Sequence, residues 1–232
     1  MKAMILAAGL GSRLRPFTLD HPKALFEIEG KTLLAHAIDH IRTAGISEIL
    51  INVHHFADQI GDYLKLNQNF GCSIAISDET GELLETGGGL KKAAWFFDQD
   101  EDFILRNVDI LSDLDLTKMV VCHKENRWLA TLAVRDRQTS RYFLFNNSMK
   151  LGGWENRKTG EKVIVNPSTS LKSYAFSGIQ VLNAAIFPLI TEEGKFSLTS
   201  LYLRLADSQP IFGYQEDGLV WKDVGNTLNS HP

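Results

Sequence analysis

Apolar residues run almost unbroken through residues 2–7 and give way at Gly9 to a segment, 9–22, rich in Gly, Arg and Pro. The first run reads as a buried strand, and the second cannot be helical throughout. Residues 25–28 form a short extended piece. Thr32 is placed to cap a helix in which Leu34, Ala37, Ile38 and Ile41 recur at helical spacing, and Gly45 stands where a left-handed C-terminal residue belongs. The pattern then predicts a strand over 48–53 and a short helix over 57–65 with Ile60 and Leu64 facing inward. A strand over 73–77, a helix over 87–97 and a strand over 103–108 follow. Strands alternating with helices, and apolar on both faces, imply a doubly wound α/β sheet with right-handed connections.

After Asp109 the rhythm changes. A helix is expected over 116–126 and a strand over 129–135, then short strands over 142–145, 149–154 and 161–165 separated by Asn, Ser, Gly and Lys turns. A strand over 174–182, helices over 184–190 and 198–207, and final strands over 211–215 and 219–222 complete the pattern. Residues beyond Leu228 are polar and expected to fray. The resulting fold class is α/β, a doubly wound mixed and mainly parallel sheet with helices on both faces, in one domain over 1–232 with no linker or repeat.

Composition narrows the function classes. With 232 residues, 44% hydrophobic and 22% charged, the chain can bury a core without disulfide or metal staples. A net charge of −4 without a long basic run argues against nucleic-acid binding, whereas a small phosphorylated ligand needs only local cations. Cys72 and Cys122 lack metal-ligand spacing and read as reduced core residues. No secretory leader is expected, and no run approaches the roughly 20 apolar residues of a membrane helix. A cytoplasmic protein is therefore expected. His36 and His40 are four apart, but Ala37 stands where H-E-x-x-H requires glutamate, so both read as helix-surface residues. Trp95, Phe96, Phe97 and Phe103 read as core rather than as a stacking platform.

The most informative stretch is Leu6-Ala7-Ala8-Gly9-Leu10-Gly11-Ser12-Arg13-Leu14-Arg15-Pro16, followed by Pro22-Lys23. Small residues after a strand let the backbone approach a flat ligand. Gly9 and Gly11 leave amides free to face phosphate oxygens, Ser12 adds a hydroxyl, Arg13 a charged fork and Lys23 a second cation. Neither a dinucleotide fingerprint nor a P-loop fits, because Leu14 and Leu25 occupy required glycine positions; Gly30-Lys31-Thr32 reads as a turn into a helix. Asp109 and Asp223 each follow an apolar strand, at the kind of strand end where α/β sheets bind ligands.

These residues resemble the signature of the sugar-1-phosphate nucleotidyltransferases, G-x-G-[ST]-R followed by a proline and then P-K. The resemblance continues along the chain. Leu84-Glu85-Thr86-Gly87-Gly88-Gly89-Leu90 is similar to the family's second glycine segment, which lies against base and ribose. Asn107-Val108-Asp109 matches a strand end, with Val108 in place of the usual glycine, and Trp221-Lys222-Asp223-Val224-Gly225-Asn226-Thr227 matches a late aspartate segment. The resemblance implies an enzyme that joins a nucleoside triphosphate to a sugar 1-phosphate and releases pyrophosphate. Residues 1–110 would form its nucleotide-binding half and 111–232 its sugar-binding half. By the same resemblance, Leu6, Ala7, Ala8, Gly9, Gly11, Ser12, Glu85, Gly87, Gly88 and Asn107 would bind substrate. Arg13 would hold the outgoing pyrophosphate, Lys23 would face the α-phosphate, and Asp109 and Asp223 would hold Mg²⁺.

At finer grain, Glu85-Thr86-Gly87-Gly88-Gly89-Leu90, the stretch 135–142 and Phe176-Ser177-Gly178-Ile179 are most similar to the short uridylyltransferases that act on N-acetylmuramate 1-phosphate in cell-wall sugar recycling. Arg141 and Arg137 then face either a substrate phosphate or acidic sugar, or solvent. Ser177 and Gly178 either border the sugar or form a strand kink. The family's Glu-Lys-Pro sugar motif is missing: Glu161-Lys162-Val163 lacks the proline, and Trp154-Glu155-Asn156 is the candidate to fill its space. The alternatives are a guanylyltransferase using GTP and mannose 1-phosphate, and a nucleotide-sugar-binding regulatory subunit. The latter is expected to have lost Arg13, Lys23 or an aspartate, and all are present. Sequence does not indicate oligomeric state.

Overall fold

The computed structural model describes residues 1–167, 170–216 and 220–227. Among them, ten strands share one mixed sheet. The Lys2–Leu6 strand lies at its centre, parallel to Glu48–Val53 on one side and Asp102–Asn107 on the other, with Ser73–Asp78 beyond Glu48–Val53. Lys172–Asn183 then joins Asp102–Asn107 antiparallel and also pairs with Ala130–Arg135 and Arg141–Phe145. Leu151–Asn156 and Glu161–Ile164 extend the sheet past Arg141–Phe145, while Ile211–Gln215 runs parallel to Ala130–Arg135. Strands from both halves of the chain thus contribute to one sheet.

Each face of the sheet is covered, which explains why its central strands are mostly apolar. The helices Leu33–Thr43, Ala57–Leu66 and Leu116–Asn126 cover one face, burying Leu34, Ile38, Ile41, Ile60, Leu64 and Met119. Helices Glu85–Lys92 and Leu198–Leu205 cover the other, with Leu90, Leu201 and Leu205 against Met4, Leu50 and Phe103. Side-chain caps start the helices where the sequence indicates. Thr32 Oγ1 accepts from the Ala35 amide at 3.0 Å, and Asp115 Oδ1 accepts from the Lys118 amide at 3.0 Å. Gly45 is left-handed, with φ of 71°.

Several elements differ from their expected form. The helix expected over 87–97 begins at Glu85, so its glycines lie inside the first turns; it ends at Lys92, and a 3₁₀ turn Ala94–Phe96 follows. Trp95 at the tip of that turn is 66% exposed, unlike Phe97 and Phe103, which are core. The expected helix over 184–190 is a 3₁₀ run, Ala184–Leu189, containing Pro188. A strand absent from the sequence reading, Ile110–Ser112, pairs antiparallel with Trp221–Asp223 outside the main sheet. The expected start of that last strand, Leu219, and the tail after Leu228 lie outside the described residues. His36 and His40 are not surface residues. Both are half-buried, with Nε2 of His36 on the Ile28 carbonyl and Nε2 of His40 on that of Leu114. Their helix face meets polar backbone, which a hydrophobic-spacing argument cannot see. No helix among the described residues is long and apolar enough to cross a membrane.

Candidate active site

The central strands end together, and the chain leaves each of them into the same crevice. Its volume is about 580 Å³, and Leu6, Ala8, Gly9, Glu85, Asn107, Val108, Asp109, Lys23 and Arg141 all line it. A smaller hollow of about 190 Å³ lies next to it, lined by Gly11, Ser12, Arg13, Leu14, Lys23 and Asp109. Lys23 and Asp109 border both spaces, so a ligand spanning them passes that pair.

The first loop is held from inside. Asn52, 2% exposed at the end of its strand, accepts the Ala7 amide at 2.7 Å and the Ala8 amide at 3.4 Å through Oδ1. Its Nδ2 donates to Glu79 Oε1 at 2.7 Å, and Glu79 Oε2 takes the Leu84 amide at 3.2 Å. One buried amide–carboxylate pair therefore ties the start of the first glycine loop to the start of the second glycine segment. Ala7 is consumed by this anchorage and does not line the crevice. Gly11 is left-handed, with φ of 59°, and a Cβ there would lie 2.8 Å from Lys23 Cβ and 2.9 Å from Thr18 Cγ2. Only glycine allows the loop to fold back onto Lys23.

Lys23, Asp109 and Asp223 converge. Lys23 Nζ forms an ion pair with Asp109 Oδ2. A Cβ built on Gly225 would fall 2.8 Å from Lys23 Nζ, 3.3 Å from Asp223 Oδ1 and 3.5 Å from Asp109 Oδ2. The ribbon explains how residues so far apart in sequence meet. Ile110 is the register partner of Asp223, and the Val224 amide donates to the Asp109 carbonyl at 3.1 Å. Two carboxylates around a space that glycine leaves open suit a hard divalent cation, which takes its other ligands from phosphate and water. No cluster of three or more His, Cys, Asp or Glu suited to a metal occurs among the described residues, so a metal here would complete its shell with water and, once they are bound, with substrate oxygens.

The second glycine segment works differently from its expected role. The Gly87 and Gly88 amides both point to the Phe196 carbonyl, at 2.9 and 3.3 Å. A Cβ on Gly87 would strike the Phe196 ring at 2.4 Å, and one on Gly88 the Gly194 carbonyl at 2.4 Å. Neither glycine lines the crevice; they let the 194–196 segment pack closely, while Glu85 and Thr86 reach the ligand space. Thr86 Oγ1 in turn caps the neighbouring element by accepting the Leu198 amide at 2.9 Å.

Ser177 and Gly178 sit in a bulge of the Lys172–Asn183 strand, where pairing to Ala130–Arg135 shifts register between Phe176 and Gln180. Ser177 is buried, and its carbonyl accepts from Trp221 Nε1 at 2.9 Å; Gly178, at φ 79°, packs on Ile110 and Asn107. The bulge instead turns Phe176 and Gln180 into the crevice, beside Phe143 and Tyr202. The Tyr202 hydroxyl donates to Gln180 Oε1 at 2.9 Å, and burial pushes that phenol well above its ordinary pKa. Sequence reading missed this wall, and it missed Asn52 and Glu79. Arg137 lies 4.1 Å over the Trp221 ring and donates to the Phe176 carbonyl at 3.1 Å, so it buttresses the ribbon and does not line the crevice. Burial lowers its pKa, opposed by Asp223. Glu155 does not line the crevice either; its carboxylate accepts from Arg157 Nε at 2.8 Å and Ser173 Oγ at 3.0 Å.

Comparison with known proteins follows the same lines. The N-acetylmuramate alpha-1-phosphate uridylyltransferase of Caulobacter vibrioides is 31% identical, over 97% of this chain and 91% of its own. The UTP–glucose-1-phosphate uridylyltransferase of Synechocystis sp. is 32% identical over 97% of this chain, which spans 60% of that relative. The mannose-1-phosphate guanyltransferase of Yarrowia lipolytica is 28% identical over 97% of this chain, which again spans only 61% of the relative. Among solved structures, the inositol-1-phosphate CTP transferase of T. maritima shares the fold, with a TM-score of 0.80 over 99% of this chain and 91% of that one at 17% identity. The family model for nucleotidyl transferases matches residues 2–230, nearly the whole length over which the loop, the crevice and the paired aspartates are built. The chain belongs to the nucleotidyl transferase family.

Proposed function

We propose that this chain transfers a uridylyl group from UTP to N-acetylmuramate 1-phosphate or a related sugar 1-phosphate, releasing pyrophosphate, in the cytoplasm. The observation that carries the reading is the pair of adjoining spaces joined at Lys23 and Asp109. The small hollow suits a pyrophosphate, and the large crevice suits nucleoside and sugar. A sugar-phosphate oxygen attacks the α-phosphorus, a new P–O bond forms, and the bond to the α,β-bridging oxygen breaks with its electrons leaving on pyrophosphate. Such a reaction needs positioning and charge neutralisation rather than a covalent intermediate. The Gly11–Ser12 backbone and Arg13 receive the departing phosphates. Lys23 moves from Asp109 to the α-phosphate, where charge accumulates. Asp109 and Asp223 fit Mg²⁺, which when bound supplies further neutralisation of phosphate oxygens.

The wall of Phe143, Phe176, Gln180 and Tyr202 offers apolar faces and one amide to the sugar, and Arg141 offers a cation suited to an acidic substituent. The resemblance to the Caulobacter uridylyltransferase across nearly its full length supports the choice of UTP and an acidic amino sugar. GTP with mannose 1-phosphate is the second reading, favoured by the Yarrowia relative. Measuring pyrophosphate release for five nucleoside triphosphates against N-acetylmuramate, N-acetylglucosamine, glucose and mannose 1-phosphates separates them. The highest kcat/KM is expected for UTP with N-acetylmuramate 1-phosphate; a preference for GTP with mannose 1-phosphate would replace this reading with the second.

A further inference from the structure

Arg106 breaks the apolar run of the Asp102–Asn107 strand and is 1% exposed. An arginine in such a place is costly unless its donors are used. Among the described residues, no carboxylate is hydrogen-bonded to it. Nη2 donates to the Ile110 carbonyl, Nε to the Asn107 carbonyl at 3.4 Å, and Nη1 to His40 Nδ1 at 2.7 Å. His40, on the helix Leu33–Thr43, donates through Nε2 to the Leu114 carbonyl at 2.7 Å. Because a carbonyl can only accept, Nε2 carries the proton and Nδ1 presents its lone pair to the arginine. The side-chain pair therefore holds three carbonyls of the stretch 107–114, on both sides of Asp109.

Val108, Ile110 and Leu114 of that stretch are buried in the core, but apolar packing does not fix where its carbonyls point. Behind the ribbon lies a hollow of about 280 Å³ bordered by Arg106, His40, Ile110, Asp113 and Lys222. Beside that hollow, the hydrogen bonds from Arg106 and His40 add a polar restraint to a ribbon of three-residue strands, and Ile110 is the register partner that brings Asp223 next to Asp109. We propose that Arg106, with His40, is a positioning residue that sets the spacing of the Asp109 and Asp223 carboxylates, and through it their affinity for a divalent cation. This rests on the reading that these two aspartates hold the metal, and is independent of which sugar is used.

The test uses the full chain and Mn²⁺ as probe, with free Mn²⁺ measured by electron paramagnetic resonance in the absence of substrates. Arg106→Met should fold, since an apolar side chain of similar length fills the site, and should bind Mn²⁺ about 10–100-fold more weakly, as losses of outer-sphere support do. Its kcat at saturating Mg²⁺ should stay within a few-fold of the parent while the Mg²⁺ concentration for half-maximal rate rises. His40→Ala, which keeps the guanidinium but frees the Leu114 carbonyl, should show a smaller shift of the same sign and serves if Arg106→Met does not fold. A folded Arg106→Met, or failing that His40→Ala, with parental Mn²⁺ affinity would overturn the proposal and leave the metal site standing. A parent that binds no Mn²⁺ in a manner sensitive to Asp109→Ala overturns both.

Discussion

Asn52 and Glu79 form a buried pair whose roles can be exchanged. In Asn52→Asp, Nδ2 is replaced by an oxygen facing Glu79 Oε1 at 2.7 Å, where Glu79 is 1% exposed. A buried carboxylate without its partner costs about 3–5 kcal/mol. At this chain length about 1 kcal/mol corresponds to about 2–4 °C, so melting should fall by roughly 6–20 °C. Glu79→Gln alone sets donor against donor and should cost about 1–3 kcal/mol. Combined, the substitutions restore every bond. The new carboxylate at position 52 would accept from Ala7, Ala8 and the new amide at position 79, whose remaining oxygen would still accept from Leu84. The double variant should fall within about 1–2 kcal/mol of the parent and regain the nucleotide KM lost in Asn52→Asp. Thermal melts of the four proteins, read by circular dichroism alongside pyrophosphate-release kinetics, decide the matter. A double variant no more stable than Asn52→Asp would refute the exchange and the anchoring role derived from it.

Lys23→Ala should remain folded yet lose about 10²–10³ in turnover, the usual loss for one donor aimed at developing charge; turnover near the parent's would exclude that role. Gly225→Ala puts a methyl 2.8 Å from Lys23 Nζ, the free end of a flexible chain. Its melting temperature should barely change while activity drops at least about tenfold, and an unimpaired enzyme would contradict the convergence of the three side chains. Burial and Arg106 hold the His40 pKa at about 4, below its ordinary 6.5. The unfolded chain therefore takes up a proton first as pH falls, and stability is lost between those values, by roughly 3 kcal/mol at the acid end. Denaturant titrations from pH 7 to pH 4 should show this slope, and His40→Gln should flatten it; an unchanged slope would point to another group.

How far the sequence reveals the site depends on the residue. The stretch from Gly9 to Lys23 is legible as a loop bordering the crevice, because glycines directly after a buried strand, with arginine and lysine close behind, mark a strand end that faces a ligand space. Asp109 and Asp223 are legible as polar residues directly after apolar runs, although their meeting depends on the Ile110–Ser112 strand, too short to show any periodicity. Phe143, Phe176, Gln180 and Tyr202 have ordinary strand and helix identities; only the bulge at Gly178 and the antiparallel docking of Lys172–Asn183 turn them toward a ligand. Gly87 and Gly88 mislead because close approach serves Phe196 as well as it would serve a nucleotide. Asn52 and Arg106 leave a trace, each being a polar residue near the end of an apolar strand run. The central parallel strands follow from apolar runs of strand length, whereas the small ribbon and the 3₁₀ turns rest on tertiary contacts.

The ammonium resting on Asp109 matters for the protein before any ligand arrives. Carboxylates gathered in one place disfavour each other's charge unless a cation stands beside them. Here the polypeptide brings its own tethered counter-ion, on the loop that follows the first strand. The cation that balances Asp109 is thus covalently part of the chain.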